Sequence, residues 1–247
     1  MHDHTQIGGA GDRFPATRST AVQAAGSEDA AERRCGLEAL VAAYWKPVYK
    51  YIRLKWREDN EGAKDLTQGF FTRAMEKGFF RGYDPAKGSF RTFLRTCVDG
   101  YVSNEREAAG RWKRGGGAEF VALDFEGAEG ELREHPIADG LPLEEYFRRE
   151  FVRAMFGSAV EKLRLSCQDR GKETHYTLFE RYDLDEEDIS YDQLARETGL
   201  PVTQVTNYLA WARREFRQIV LAELREVSGS EEEFRREARA LLGVDGR

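Results

Sequence analysis

Apolar residues recur every three to four positions along most of this chain, and this period constrains its fold more than any other feature. In the first such stretch they lie at Leu37, Leu40, Val41, Tyr44, Val48, Tyr51, Ile52 and Leu54. Pro47 is expected to kink that helix. Further stretches with the same period lie at about 63–77, 90–106, 144–163, 176–182 and 190–224. No strand-like alternation is long enough to count, so the pattern predicts an all-α protein.

A glycine run and an acidic stretch divide the helical pattern into two parts. Residues 115–117 are three consecutive glycines, which are typical of a hinge. The acidic residues that follow include Pro136 and Pro142, which discourage a continuous helix. We therefore predict two small helical domains joined by a flexible acidic linker.

The predicted boundaries follow from these composition changes. The first domain is expected at 31–114, the linker at 115–143 and the second domain at 144–227. Residues 1–30, rich in Gly, Ala, Thr and Ser, are expected to form a disordered N-terminal tail. Residues 228–247 are expected to be a C-terminal amphipathic extension, capped by Ser230, which either docks on its own chain or binds a partner.

Composition and motifs exclude several classes of protein. No apolar run approaches the roughly 20 residues needed to span a bilayer, and no signal-peptide pattern opens the chain, so we expect a cytoplasmic protein without membrane insertion. The three cysteines and four histidines show no disulfide or metal-ligand spacing. No nucleophile, zinc-protease or phosphate-loop motif is present. We expect no enzymatic activity, no cofactor or metal and no small-molecule substrate.

The sharpest local signature lies at 190–217 and has the layout of a helix-turn-helix. Ser190 can cap the first helix with Gln193 three residues on, and Gly199 supplies the tight turn. The outer face of the second helix carries the polar residues Thr203, Gln204, Thr206, Asn207, Arg213 and Arg214. Such a surface suits a DNA major groove, in which Gln and Asn bond adenine and Arg holds phosphate or guanine. The alternative is a helical hairpin whose polar side faces water.

The chain resembles bacterial RNA polymerase sigma factors of the extracytoplasmic-function type. The second helix, Asp65-Leu66-Thr67-Gln68-Gly69-Phe70-Phe71, is similar to the family signature D-L-V-Q-E-x-F. A subgroup common in planctomycetes is closer still. The matching positions are Tyr44-Trp45, Pro47-Val48-Tyr49, Asp84-Pro85, Gly88, Phe90-Arg91, Phe93-Leu94, Asn104-Glu105, Lys113 to Gly117 and Leu123 to Glu126. The resemblance covers about 14–242.

This resemblance implies three sets of site residues, with the first domain as sigma region 2 and the second as region 4. Core polymerase would be bound by Asp65, Gln68 and Thr72. The minus-ten promoter element would be bound by Phe80, Tyr83, Lys87, Arg91, Arg95, Asn104, Arg106, Arg111, Lys113 and Arg114. The minus-thirty-five element would be bound by the helix-turn-helix face given above. The alternatives are that Phe79 or Phe80 belongs to the core and that the basic run is a solvated face.

The resemblance further implies a factor that binds core RNA polymerase and promoter DNA, under the control of an anti-sigma factor or a regulatory kinase. Thr96 and Gly100 stand where many relatives have Arg and Asn, and Thr206 and Trp211 where they carry basic residues. The net charge of −6 is also unusual for a nucleic-acid binder, unless positive charge is local. Two alternatives therefore remain: a sigma-like regulator that has lost promoter readout, and an ordinary helix-turn-helix repressor.

Overall fold

The computed structural model describes residues 20–109, 123–134, 140–185 and 189–242, and within these ranges it contains helices and no strand. The α-helices are α1 (Ala21–Ala25), α2 (Ala30–Lys55), α3 (Asn60–Lys77), α4 (Phe90–Ala109), α5 (Phe125–Glu134), α6 (Leu143–Asp169), α7 (Glu173–Phe179), α8 (Tyr191–Thr198), α9 (Val202–Glu226) and α10 (Glu231–Leu242). Short 3₁₀ turns lie at Phe79–Gly82 and Pro85–Lys87, and a π-helical turn at Glu180–Leu184. The predicted all-α class is confirmed.

Local capping signals set several helix ends. The carboxylate of Asp59 accepts a hydrogen bond from the Gly62 N–H at the start of α3. Ser190 and Gln193 form a reciprocal capping box at the start of α8. Gly78 and Gly199 end α3 and α8 at φ +62° and +69°, in the left-handed region that glycine adopts without strain. Pro47 lies inside α2 without ending it.

The larger of two cores surrounds α2. It contains residues of α1, α3, α4, α5, the first half of α6, the end of α9 and α10. Aromatic contacts dominate its centre, where the Tyr44 ring stacks on Phe151 at 4.9 Å and meets Phe90 edge-on at 5.9 Å. These contacts bring elements from both predicted domains into one apolar core.

The smaller core holds the helix-turn-helix. Its buried residues are Leu163, Cys167, Leu178, Phe179, Leu194, Ala195, Val205, Leu209 and Ala212. Two long helices, α6 and α9, supply residues to both cores. In α9, for example, Leu209 lies in the smaller core and Val220 in the larger one. Continuous helices therefore connect the two cores.

Part of the predicted disordered tail is ordered, which corrects that expectation for residues 20–30. The side chains of Ala21, Val22 and Ala25 are buried in the larger core. Gly36 allows α2 to approach α1 closely, because a Cβ at this position would lie 2.7 Å from the Ala21 carbonyl oxygen. Contacts between small residues give no amphipathic period, so the sequence pattern does not reveal this helix. Residues 1–19 lie outside the described residues.

Part of the predicted flexible linker is also helical. Helix α5 lies within 115–143, and Phe125 at its start packs edge-on against Trp45 at 5.3 Å and Tyr49 at 5.2 Å. This segment of the linker is therefore packed against α2. Residues 115–122 and 135–139 lie outside the described residues.

Candidate nucleic-acid interface

The outer face of α3 carries the three residues predicted to bind core polymerase. Asp65 is exposed, and Gln68 and Thr72 are partly exposed. Their spacing of three and four residues places them along one side of the helix. Phe70 and Phe71 point into the larger core from the opposite side. The structure thus brings Asp65, Gln68 and Thr72 together on one accessible surface.

A groove of about 520 Å³ lies between the end of α3, the turn at Phe79–Gly82 and α4. Its walls combine aromatic, cationic and small polar residues: Arg73, Lys77, Phe79, Gly82, Phe93, Cys97, Gly100, Tyr101 and Asn104. Phe79 and Phe93 are only half-buried, so part of each ring remains accessible. Aromatic walls beside cations are typical of sites that stack an unpaired base and hold its phosphate.

Of the three aromatic residues that the resemblance would place on a flipped base, Phe79 lines this groove, whereas Phe80 and Tyr83 do not. Phe80 is 2 % exposed and meets Phe90 edge-on at 5.5 Å, so it belongs to the core and the prediction for it is corrected. The Tyr83 hydroxyl donates to the Glu233 carboxylate at 3.2 Å and lies 3.1 Å from the Gly88 carbonyl oxygen. Burial, with Glu233 next in importance, raises the Tyr83 pKa above its usual range. Phe79 and Phe93 are the accessible aromatics instead.

Three residues of the predicted minus-ten set lie at the surface. Lys87 is fully exposed on its turn, and Asn104 is exposed at the rim of the groove. Arg106 is also exposed, but its Nε donates to Glu58 at 2.8 Å and its guanidinium lies 5.1 Å from the Trp56 ring centroid. Arg111, Lys113 and Arg114 lie outside the described residues.

Two further cations of that set are covered by acidic residues. The Arg91 side chain is only 14 % exposed, with a guanidinium nitrogen 3.1 Å from each carboxylate oxygen of Glu237. Arg95 forms an ion pair with Glu144 at 3.2 Å. Binding of either guanidinium to a DNA phosphate would require these ion pairs to open, and the predicted contact of Arg91 and Arg95 with the minus-ten element stays a prediction.

The helix-turn-helix presents most of its predicted contact residues on one side of α9. Thr203, Thr206, Asn207 and Arg214 are exposed. Gln204 is partly buried, and its Nε2 donates to the Tyr208 hydroxyl. The exposed residues form a polar stripe at helical spacing, as a major-groove surface requires.

Arg213 departs from that stripe and joins α9 to the rest of the smaller core. Its Nε and Nη2 donate to Asp183 at 2.9 and 2.8 Å, and its Nη1 donates to the Tyr191 hydroxyl at 3.1 Å. The hydrogen bonds that Arg213 donates to Asp183 raise the Arg213 pKa above its usual value. Arg213 thus joins α9 to Asp183 and Tyr191, and its predicted contact with DNA stays a prediction.

A second cation lies beside α9, and sequence reasoning missed it. Lys172 Nζ is 4.6 Å from the ring centroid of Trp211. The His175 ring stacks on Tyr208 at 3.9 Å, and burial, followed by repulsion from Lys172, lowers the pKa of His175. Positive charge thus reaches the position of Trp211 from a distant part of the sequence, which no local pattern could indicate.

The described residues contain no group of three or more His, Cys, Asp or Glu side chains that could hold a metal ion. None of the helices in the described part of the chain has both the length and the apolar character needed to cross a membrane. Comparison of the chain with protein-family models, curated proteins and solved structures gave no match.

Proposed function

We propose that this chain is a sigma-type transcription initiation factor that binds core RNA polymerase and directs promoter recognition and DNA melting. The observation that carries the proposal is that α3 carries both the accessible Asp65 and Gln68 and, further along, the wall of the groove that it forms with α4. One helix thus offers a polar face to a protein partner and helps to form an aromatic, cationic groove suited to an unpaired base. The resemblance described above supports the same assignment.

In the groove, Phe79 and Phe93 would stack on a base of the melted strand. Such stacking contributes roughly 1–3 kcal/mol per base. Arg73 and Lys77 would neutralise nearby phosphates, which makes binding weaker as the salt concentration rises. Arg73 already forms an ion pair with Glu105 at 2.8 Å, so this contact requires an exchange of partners.

The polar stripe of α9 would read duplex DNA in this proposal, with 144–227 as region 4 and 31–114 as region 2. Asn207 has the side-chain amide that bonds an adenine edge through two contacts. Arg214 would hold a phosphate, and Arg213 would fix the orientation of the helix through Asp183.

A second candidate is a sigma-like regulator that binds polymerase or another protein but does not read promoters. It is favoured by the ion pairs that Arg91, Arg95 and Arg106 already form with acidic side chains, since each pair would have to open before its cation could bind a phosphate. In that case the α3 face would be retained without DNA melting.

Co-elution with core RNA polymerase, followed by run-off transcription, distinguishes the candidates. We expect the chain to co-elute, and Asp65→Ala with Gln68→Ala to weaken co-elution without changing the melting temperature. Glu161→Ala with Arg164→Ala, an exposed ion pair on α6, is the matched control and should behave as the wild type. Failure to bind core polymerase refutes both candidates, and binding without initiation selects the regulator.

A further inference from the structure

Residues 228–242, called the C-terminal strap below, lie against the start of α4. The Glu233 side chain, in a residue only 6 % exposed, accepts hydrogen bonds from three donors. These are the Phe90 N–H at 3.0 Å, the Gly229 N–H at 2.9 Å and the Tyr83 hydroxyl at 3.2 Å. One carboxylate therefore caps the N-terminus of α4 and connects it to the strap.

A second carboxylate of the strap forms an ion pair with the neighbouring cation, Arg91. Glu237, one turn along α10 from Glu233, holds Arg91 through the paired contacts described above. Phe234 and Ala238, each directly after one of these acids, are buried in the larger core. The strap is thus anchored by apolar side chains and directs two carboxylates at Tyr83, the Phe90 N–H and Arg91.

These three donors are the kind that bind a phosphate. Helix N-termini and arginine side chains are frequent anion sites, and a phenolic hydroxyl adds a further donor. They also adjoin the groove, because the Tyr83 ring lies 5.4 Å from the ring of Phe93, which lines it. A DNA strand that entered this end of the groove would meet the carboxylates of Glu233 and Glu237 first.

We propose that the C-terminal strap is an autoinhibitory element. Its two carboxylates take the place of nucleic-acid phosphates at the start of α4, and the strap leaves before single-stranded DNA binds there. This inference rests on the proposed function in one respect, since it takes the groove between α3 and α4 as a DNA site.

The test compares two full-length variants of equal charge. Glu233→Gln with Glu237→Gln weakens the contacts to α4, whereas Glu231→Gln with Glu232→Gln removes two exposed acids from the same helix. The affinity for a fluorescein-labelled single-stranded oligothymidylate is measured by anisotropy at one salt concentration. Hydrogen exchange of residues 228–242 reports opening of the strap. We expect the first variant to exchange faster and to bind roughly tenfold more tightly than the second, as loss of one charged hydrogen-bond contact implies.

Equal affinities of the two variants, or no binding by either, would overturn the inference. If the double variant does not fold, Glu237→Gln alone keeps the buried cap at Phe90. Its affinity for oligothymidylate is then compared with that of Glu232→Gln. The proposed function fails separately. If the first variant binds oligothymidylate more tightly but the chain does not co-elute with core polymerase, the autoinhibitory role of the strap stands and the sigma assignment is refuted. If the chain co-elutes but the affinity does not rise, only the autoinhibitory role is refuted.

Discussion

Glu129 fixes helix α5 to α2, and its contribution can be calculated from its surroundings. Arg53 donates two hydrogen bonds to its carboxylate at 2.7 and 2.9 Å, and the Tyr49 hydroxyl donates a third at 2.7 Å. Chiefly because of the Arg53 hydrogen bonds, the Glu129 pKa falls from 4.5 to about 2. A shift of this size corresponds to about 3 kcal/mol of stability at neutral pH.

We therefore expect Glu129→Gln to lower the free energy of unfolding by about 2–3 kcal/mol at pH 7, measured by urea denaturation. The folded pKa lies below the unfolded value, so this stabilisation is complete above pH 4.5 and disappears as the pH falls towards 2. The difference between wild type and variant should shrink across that interval. Glu126→Gln, an exposed acid on the same helix, should change stability little. A variant as stable as the wild type at pH 7, or a difference independent of pH, would refute the assignment.

Three further substitutions test other parts of the structure. Lys50→Met removes the fully buried cation that faces Glu150, and we expect the free energy of unfolding in urea to fall by on the order of 3 kcal/mol. Addition of Glu150→Leu should restore much of that stability. An equal loss in the single and the double variant would contradict this expectation. Gly100→Ala adds a Cβ that meets no atom within 4 Å on an exposed position of α4, and thermal unfolding should show a gain of about 1 kcal/mol rather than a loss. A lysine at position 213 cannot make both hydrogen bonds to Asp183, so Arg213→Lys should lower the free energy of unfolding, measured by calorimetry, by up to about 1 kcal/mol. Unchanged stability would show that this ion pair contributes nothing.

Local signals were sufficient to predict much of the helical structure. The apolar period predicted helices at α2, α3, α4 and α9, and the Ser190 cap and Gly199 turn predicted the helix-turn-helix. Both kinds of signal depend on residues within a few positions of one another, because a helix satisfies its backbone over short distances. The agreement is therefore greatest where the structure itself is local.

Contacts between residues far apart in the sequence account for the part of the fold that was not predicted. The acids of α5 suggest a solvated linker when only their neighbours are considered. In the fold, Glu129 meets Arg53, and Glu131 meets Lys46 and Lys50 at 2.8 Å each, all on α2. Burial alone would raise the pKa of Glu131, yet the hydrogen bonds from Lys46 and Lys50 lower it. A charged segment can thus pack closely when its partners come from another helix.

The groove was missed for a different reason, which is the geometry of one turn. Phe79 and Phe80 are adjacent and chemically identical, so composition cannot tell which faces the core. Gly78 ends α3 in the left-handed region, and the 3₁₀ turn that follows directs Phe80 inward and leaves Phe79 at the groove. The sequence alternatives for Phe79 and Phe80 could be separated only by these backbone angles.

The contacts that a DNA-binding conformation would have to break differ in strength. The strap contains one short helix, which Phe234 and Ala238 anchor in the larger core. The joint between α2 and α6, in contrast, is an aromatic core centred on Tyr44 and Phe151. Local opening in proteins begins where buried apolar contacts are fewest. Release of the strap would therefore uncover the start of α4 while α6 and α9 still connect the two cores, so access to DNA there does not require the cores to separate.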